Sequence, residues 1–118
     1  MIRAGLSFLL LTTSASAEPW SCQMTVQCDN LDCVAIADSY SLIAADHAGE
    51  LFLSSATGDH PVTRLSPQNH LPAAYAGVST HAIAELLTII EDGQAILTSH
   101  GHGGSARTIT AFGTCTPL

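Results

Sequence analysis

Between Trp20 and Cys28 the chain reads WSCQMTVQC, with Trp20, Cys22, Met24, Val26 and Cys28 alternating against Ser21, Gln23, Thr25 and Gln27. A period of two held over the whole stretch puts one set of side chains on a buried face and the other in solvent. That is the pattern of a half-buried strand and not of a helix. It is the clearest structural signal in the chain. Two cysteines stand on its buried face, so this strand is also a point of covalent attachment.

The segment ahead of it decides the compartment. MIRAGLSFLLLTTSASAEPW has one basic residue, Arg3, then an apolar run from Leu6 to Leu11, then the small-residue site Ala15-Ser16-Ala17. That order predicts a secretory signal peptide over residues 1–17 and a single domain over residues 18–118. The apolar run is too short to span a bilayer. Cys22 stands too far beyond the site, behind Trp20-Ser21, to accept a lipid. The mature protein is expected in the periplasm or outside the cell, with no membrane insertion after cleavage.

In an oxidising compartment the four cysteines, Cys22, Cys28, Cys33 and Cys115, read as two disulfides. Three pairings are possible. Cys28 and Cys33 flank the short polar loop DNLD, which leaves Cys22 near the mature N-terminus for Cys115 near the C-terminus. The expected bridges are Cys28–Cys33 and Cys22–Cys115, the second fastening first strand to last. A structural zinc site is the rival reading, but the spacings contain no C-x-x-C pair.

Further strands follow at short intervals. SYSLIAA and ELFLSSA are expected as two strands joined by DHAG, TGDHP as a turn, and VTRLS as a short strand. PQNHLP is expected as a loop, and Ala73 to Val78 as another apolar run. The stretch STHAIAELLTIIEDG resists this reading, because Ile83, Leu86, Leu87 and Ile90 have helical spacing, with Ser79 or Thr80 to cap the start and Gly93 the end. Against it, Asp92-Gly93 lies between LLTIIE and QAILTS, both rich in β-branched residues, which is a two-residue hairpin signal. The tail ARTITAFGTC is β-rich, with Ile109, Ala111, Gly113 and Cys115 on one face. With strands on both sides the hairpin is preferred. The fold class is then all-β: a single antiparallel meander of six to eight strands forming a small barrel or sandwich.

EPWSCQMTVQC, the inner cysteine, LLTIIEDGQAILT and the closing FGTC together resemble small secreted, disulfide-tied β proteins of alphaproteobacteria that have no assigned function. The resemblance spans most of the mature chain and implies a compartment and a fold, but no activity. The chain is also similar to periplasmic inhibitors of C-type lysozyme in size, export, acidity and β build. Those inhibitors carry a Ser-Gly-x-x-Tyr-type loop, and Gly104-Ser105-Ala106-Arg107 lacks its tyrosine and its order.

Charge narrows the partners. Ten acidic residues stand against three basic ones, with no lysine, for a formal net charge of −7. Loss of Arg3 with the leader makes the mature chain one unit more negative. Such a protein repels phosphate backbones, which argues against nucleic acid as a partner. Without lysine there is no Schiff-base chemistry. No G-x-S-x-G elbow, H-E-x-x-H, phosphate-binding loop or dinucleotide fingerprint occurs, so an enzyme is not expected, nor a cofactor. Asp29, Asn30 and Asp32 lack the length, glycine and bidentate glutamate of a calcium loop and suit the cap of a turn.

Six histidines remain: His47, His60, His70, His81, His100 and His102. His100 and His102 lie two apart in TSHGHGGSAR and are the candidate ligands for zinc or copper. Gly101, Gly103 and Gly104 make this stretch a turn before they make it a metal site, because glycines hold no ligand geometry. The sequence is read as an exported, non-catalytic β domain that binds an unidentified protein or small ligand, with an inhibitor-like role as one form of it. The alternative is a histidine-based periplasmic metal carrier or sensor.

Overall fold

The computed structural model describes residues 18–44, 50–79, 81–101 and 105–118, together with Gly5. The leader expected over residues 1–17 lies outside these, apart from Gly5. Eight strands follow in chain order: β1 Trp20–Asp29, β2 Asp32–Ala44, β3 Leu51–Ser55, β4 Gly58–Arg64, β5 Ala73–Val78, β6 Ala84–Ile89, β7 Gln94–His100 and β8 Thr108–Pro117. Each pairs antiparallel with the next, and β8 pairs with β1 to close a barrel. The choice between barrel and sandwich is thereby settled as a barrel.

The alternation in β1 turns Trp20, Cys22 and Met24 inward, where they meet Leu42, Leu51, Leu53, Tyr75, Leu87, Ile89 and Leu97. An eight-stranded barrel is just wide enough for side chains to fill its interior. Alanines complete the packing at Ala73, Ala95 and Ala111. Past Met24 the register of β1 shifts against both neighbours, so the expected buried face ends there: Val26 is exposed and Cys28 only half-buried. At this irregularity β8 comes so close that a Cβ on Gly113 would strike the Gln23 carbonyl oxygen and lie 2.7 Å from the Met24 Cα. Only glycine fits there.

The stretch with helical spacing is strand β6 and the turn before it. Its hairpin to β7 departs from the expected two-residue form. The Gly93 N–H donates to the Ile90 carbonyl (2.9 Å) and the Ile90 N–H to the Gln94 carbonyl (2.9 Å), so Glu91-Asp92-Gly93 is a three-residue loop. Gly93 has φ of 85°, which is the position glycine serves in that loop type. TGDHP is not a turn either. Ala56-Thr57 turns the chain, and Gly58 to Arg64 is one strand whose residues His60, Val62 and Arg64 face inward. The expected DNLD loop shrinks to Asn30-Leu31, because Asp29 and Asp32 already pair.

Both disulfides form as expected. Cys22–Cys115 joins β1 to β8 inside the barrel, and Cys28–Cys33 joins β1 to β2 near their turn.

Candidate functional site

The two ends of the barrel differ. At the end where the chain enters β1, Glu18 reaches across to β4 and β5. Its carboxylate accepts from Arg64 Nε (2.6 Å), from Arg64 Nη2 and from the Tyr75 hydroxyl (2.9 Å). Arg64 holds the Glu18 carboxyl below the ordinary glutamate range, against the opposing effect of burial. Burial and then Glu18 push the Tyr75 hydroxyl up to about 12. Glu18, Arg64 and Tyr75 thus hold one another across this end of the barrel and act there as a structural plug.

The opposite end is an open, polar mouth. A cleft of about 90 Å³ is lined by Tyr40 of β2, Ser55 and Thr57 to His60 around the β3–β4 turn, Ser79, His81 and Ile83 of the β5–β6 connection, and Glu85 of β6. At its floor, His60 Nε2 lies 3.1 Å from Glu85 Oε2, with the two side chains 9% and 16% exposed. Strand alternation aims both inward: His60 precedes Val62 on one face of β4, and Glu85 precedes Leu87 on one face of β6. The connection that forms one wall is held by the Ser79 N–H donating to the Ile83 carbonyl (2.9 Å) and the Ile83 N–H donating to Ser79 Oγ (3.3 Å).

The mouth is electronegative. The Tyr40 hydroxyl is raised above its ordinary value by burial first, then by the charges of Asp38 and Glu85. Arg64 is engaged in the plug at the far end, and Arg107 pairs with Asp29 beside the β1–β2 hairpin. A positively charged or hydrogen-bond-donating group entering the cleft therefore meets acceptors, hydroxyls and imidazoles.

The residues singled out in the sequence fall elsewhere. His100 ends β7 and is exposed, opposite Ala84 on β6 and Thr108 on β8. His102 and His47 lie outside the described residues, and His70 is exposed in the loop between β4 and β5. Among the described residues no three His, Cys, Asp or Glu side chains converge as a metal site would require. The residues that build the mouth, His60 and Glu85 above all, had no prominence in the sequence. The inward alternation of His60, Val62 and Arg64 was the available signal, and the glycine and proline around it masked it as a turn.

Fold and site together define a disulfide-tied, eight-stranded antiparallel barrel with an apolar core, one plugged end and one polar mouth. No protein-family model, curated protein or solved structure matches the chain.

Proposed function

We propose that this protein is an exported, non-catalytic binding barrel that receives its partner, a protein segment or a small polar ligand, at the mouth floored by His60 and Glu85. The observation that carries this reading is the position of that pair. A buried polar pair contributes little net stability, because desolvation offsets its attraction. At the floor of an open polar cleft the same pair provides a recognition surface already held in place by two strands. The negative mouth and the net charge of −7 favour a basic partner, which agrees with an inhibitor-like role. Two disulfides and the leader-like first residues support action in the periplasm or outside the cell.

The test is affinity capture from the native cell envelope on immobilised mature protein, run in parallel with Glu85→Gln and His81→Ala variants of verified fold. A partner held by the wild type and released by both variants supports the reading. Capture that ignores both variants sinks it. Tight one-to-one uptake of zinc or copper by metal-stripped protein, lost in a His100→Ser, His102→Ser double variant, replaces it with the metal carrier.

A further inference from the structure

The barrel is closed, yet one strand is paired along only part of its far side. β2 runs from Asp32 to Ala44 and pairs with β1 from Asp32 to Leu42. On its other side it pairs with β3 only from Ser41 to Ala44. Among the described residues, that side meets no strand from Asp32 to Tyr40, and no other backbone hydrogen bond reaches it. All of these residues are exposed or half-buried.

The register shows which backbone groups are open. Asp29 and Asp32 close a two-residue hairpin, so their backbone groups bond each other. Cys28 and Cys33, with Cα atoms 4.0 Å apart, are then the next, non-bonded pair. Alternation makes Gln27–Val34 a bonded pair and Val26–Ala35 a non-bonded one. The N–H and C=O groups of Cys33 and Ala35 therefore point away from β1, into the open edge. Beside the upper part of that edge lies a groove of about 350 Å³, between Ala37 to Tyr40 and the Ser55-Ala56-Thr57 turn. An unpaired row of backbone donors and acceptors is a template for another strand.

Charge decides between occupants. The edge has an uncharged centre, Cys33-Val34-Ala35-Ile36-Ala37, between Asp32 and Asp38. If two copies paired antiparallel about Ala35, Asp32 of each would face Asp38 of the other, and like charges directly opposite are destabilising. An extended segment with an apolar centre and basic ends meets the same two carboxylates favourably. We propose that the β2 edge from Asp32 to Ser39 is a strand-addition site for an extended segment of a partner protein, apolar at its centre and basic at its ends. The groove beside this edge adjoins the His60–Glu85 cleft and shares Tyr40, Ser55 and Thr57 with it, but the open backbone groups lie on β2 alone and the proposal stands without the cleft's role.

The test uses the mature protein and synthetic peptides of alternating valine and threonine with arginine at both ends. Companion peptides carry glutamate ends, or N-methyl groups on alternate amides. The arginine-ended peptide should bind and slow hydrogen exchange at the Cys33 and Ala35 amides. The N-methylated peptide and an Ala35→Pro variant should each weaken binding about tenfold or more, as expected for lost ladder bonds. Proline suits this position because an edge strand does not need that N–H for its own ladder. An Asp32→Lys, Asp38→Lys variant should reverse the preference to glutamate ends, and it tests the same site should Ala35→Pro fail to fold. Absence of binding, equal binding of the N-methylated peptide, or protection away from β2 overturns the proposal. So does a concentration-dependent dimer that Ala35→Pro abolishes, since it would give the edge to a second copy.

Discussion

Cys22 of β1 and Cys115 of β8 sit opposite each other inside the barrel, both side chains buried and their Cα atoms 4.0 Å apart. The bridge joins residues 93 apart in sequence, at the seam where the first strand meets the last. Cys28–Cys33 spans a separation of only 5 and ties a hairpin that the backbone already closes.

The two bridges should therefore differ in worth. On chain-entropy grounds, losing the long one costs about 4–5 kcal/mol and losing the short one about 2 kcal/mol. Denaturant unfolding of the Cys22→Ala, Cys115→Ala and Cys28→Ala, Cys33→Ala double variants measures both. A larger loss from the short bridge would contradict this assignment. Alkylation of unreduced protein should label no cysteine.

Gly113 should tolerate no side chain. Alanine there collides with β1 backbone, which cannot move as a flexible side chain can. Gly113→Ala should lower stability by about 3 kcal/mol, at the upper end of overpacking effects. Gly77→Ala, whose Cβ would lie 2.5 Å from the Pro61 carbonyl oxygen, is the comparable case on β5. Thermal unfolding of both variants reads the effect, and an unchanged midpoint for Gly113→Ala would refute the close approach.

The Glu18 plug predicts how stability varies with pH at both extremes. Arg64 lowers the Glu18 pKa in the folded protein. Its contribution is then present above the ordinary glutamate value of 4.5 and is lost as pH falls below it, through the lower folded value. Tyr75 is raised, from 10.0 to about 12, so its contribution is present below pH 10 and is lost as pH rises towards 12. Glu18→Gln should flatten the acid limb of a stability–pH curve and bring the ultraviolet titration of Tyr75 to lower pH. If neither changes, the plug does not couple these groups.

His100 should be dispensable for the fold. It is exposed at the end of β7, and substitutions at such positions stay within about 0.5 kcal/mol. His100→Ser with His102→Ser should leave the thermal midpoint almost unchanged. By contrast, Glu85→Ala should cost about 1–3 kcal/mol, because it strips the buried His60 imidazole of its partner.

Much of the fold was legible because its signals are local. Period-two alternation in β8 and in β1 as far as Met24, turn residues at Asp92-Gly93, and Cys22 and Cys115 in register on an inward face can all be read within a few residues. The errors were local too. Gly58 and Pro61 made β4 resemble a turn, because proline removes a ladder donor and glycine is rare in strands. Pairing with β3 and β5 overrode both. The hairpin between β6 and β7 was recognised, but its length was set by strand register, which the dipeptide does not specify.

By itself the sequence determined the class of the domain, its two disulfides and its acidity, since these follow from pattern, spacing and count. Only the tertiary structure decided that the meander closes into a barrel, with a plug at one end and a mouth at the other. Glu18 meets Arg64 and Tyr75 across 46 and 57 residues of chain, and His60 of β4 meets Glu85 of β6 across the intervening β5. Such contacts depend on register, where a slip of one residue turns every side chain to the opposite face. The open edge of β2 has the same origin. It is a difference in length between neighbouring strands, and that exists only once they are paired.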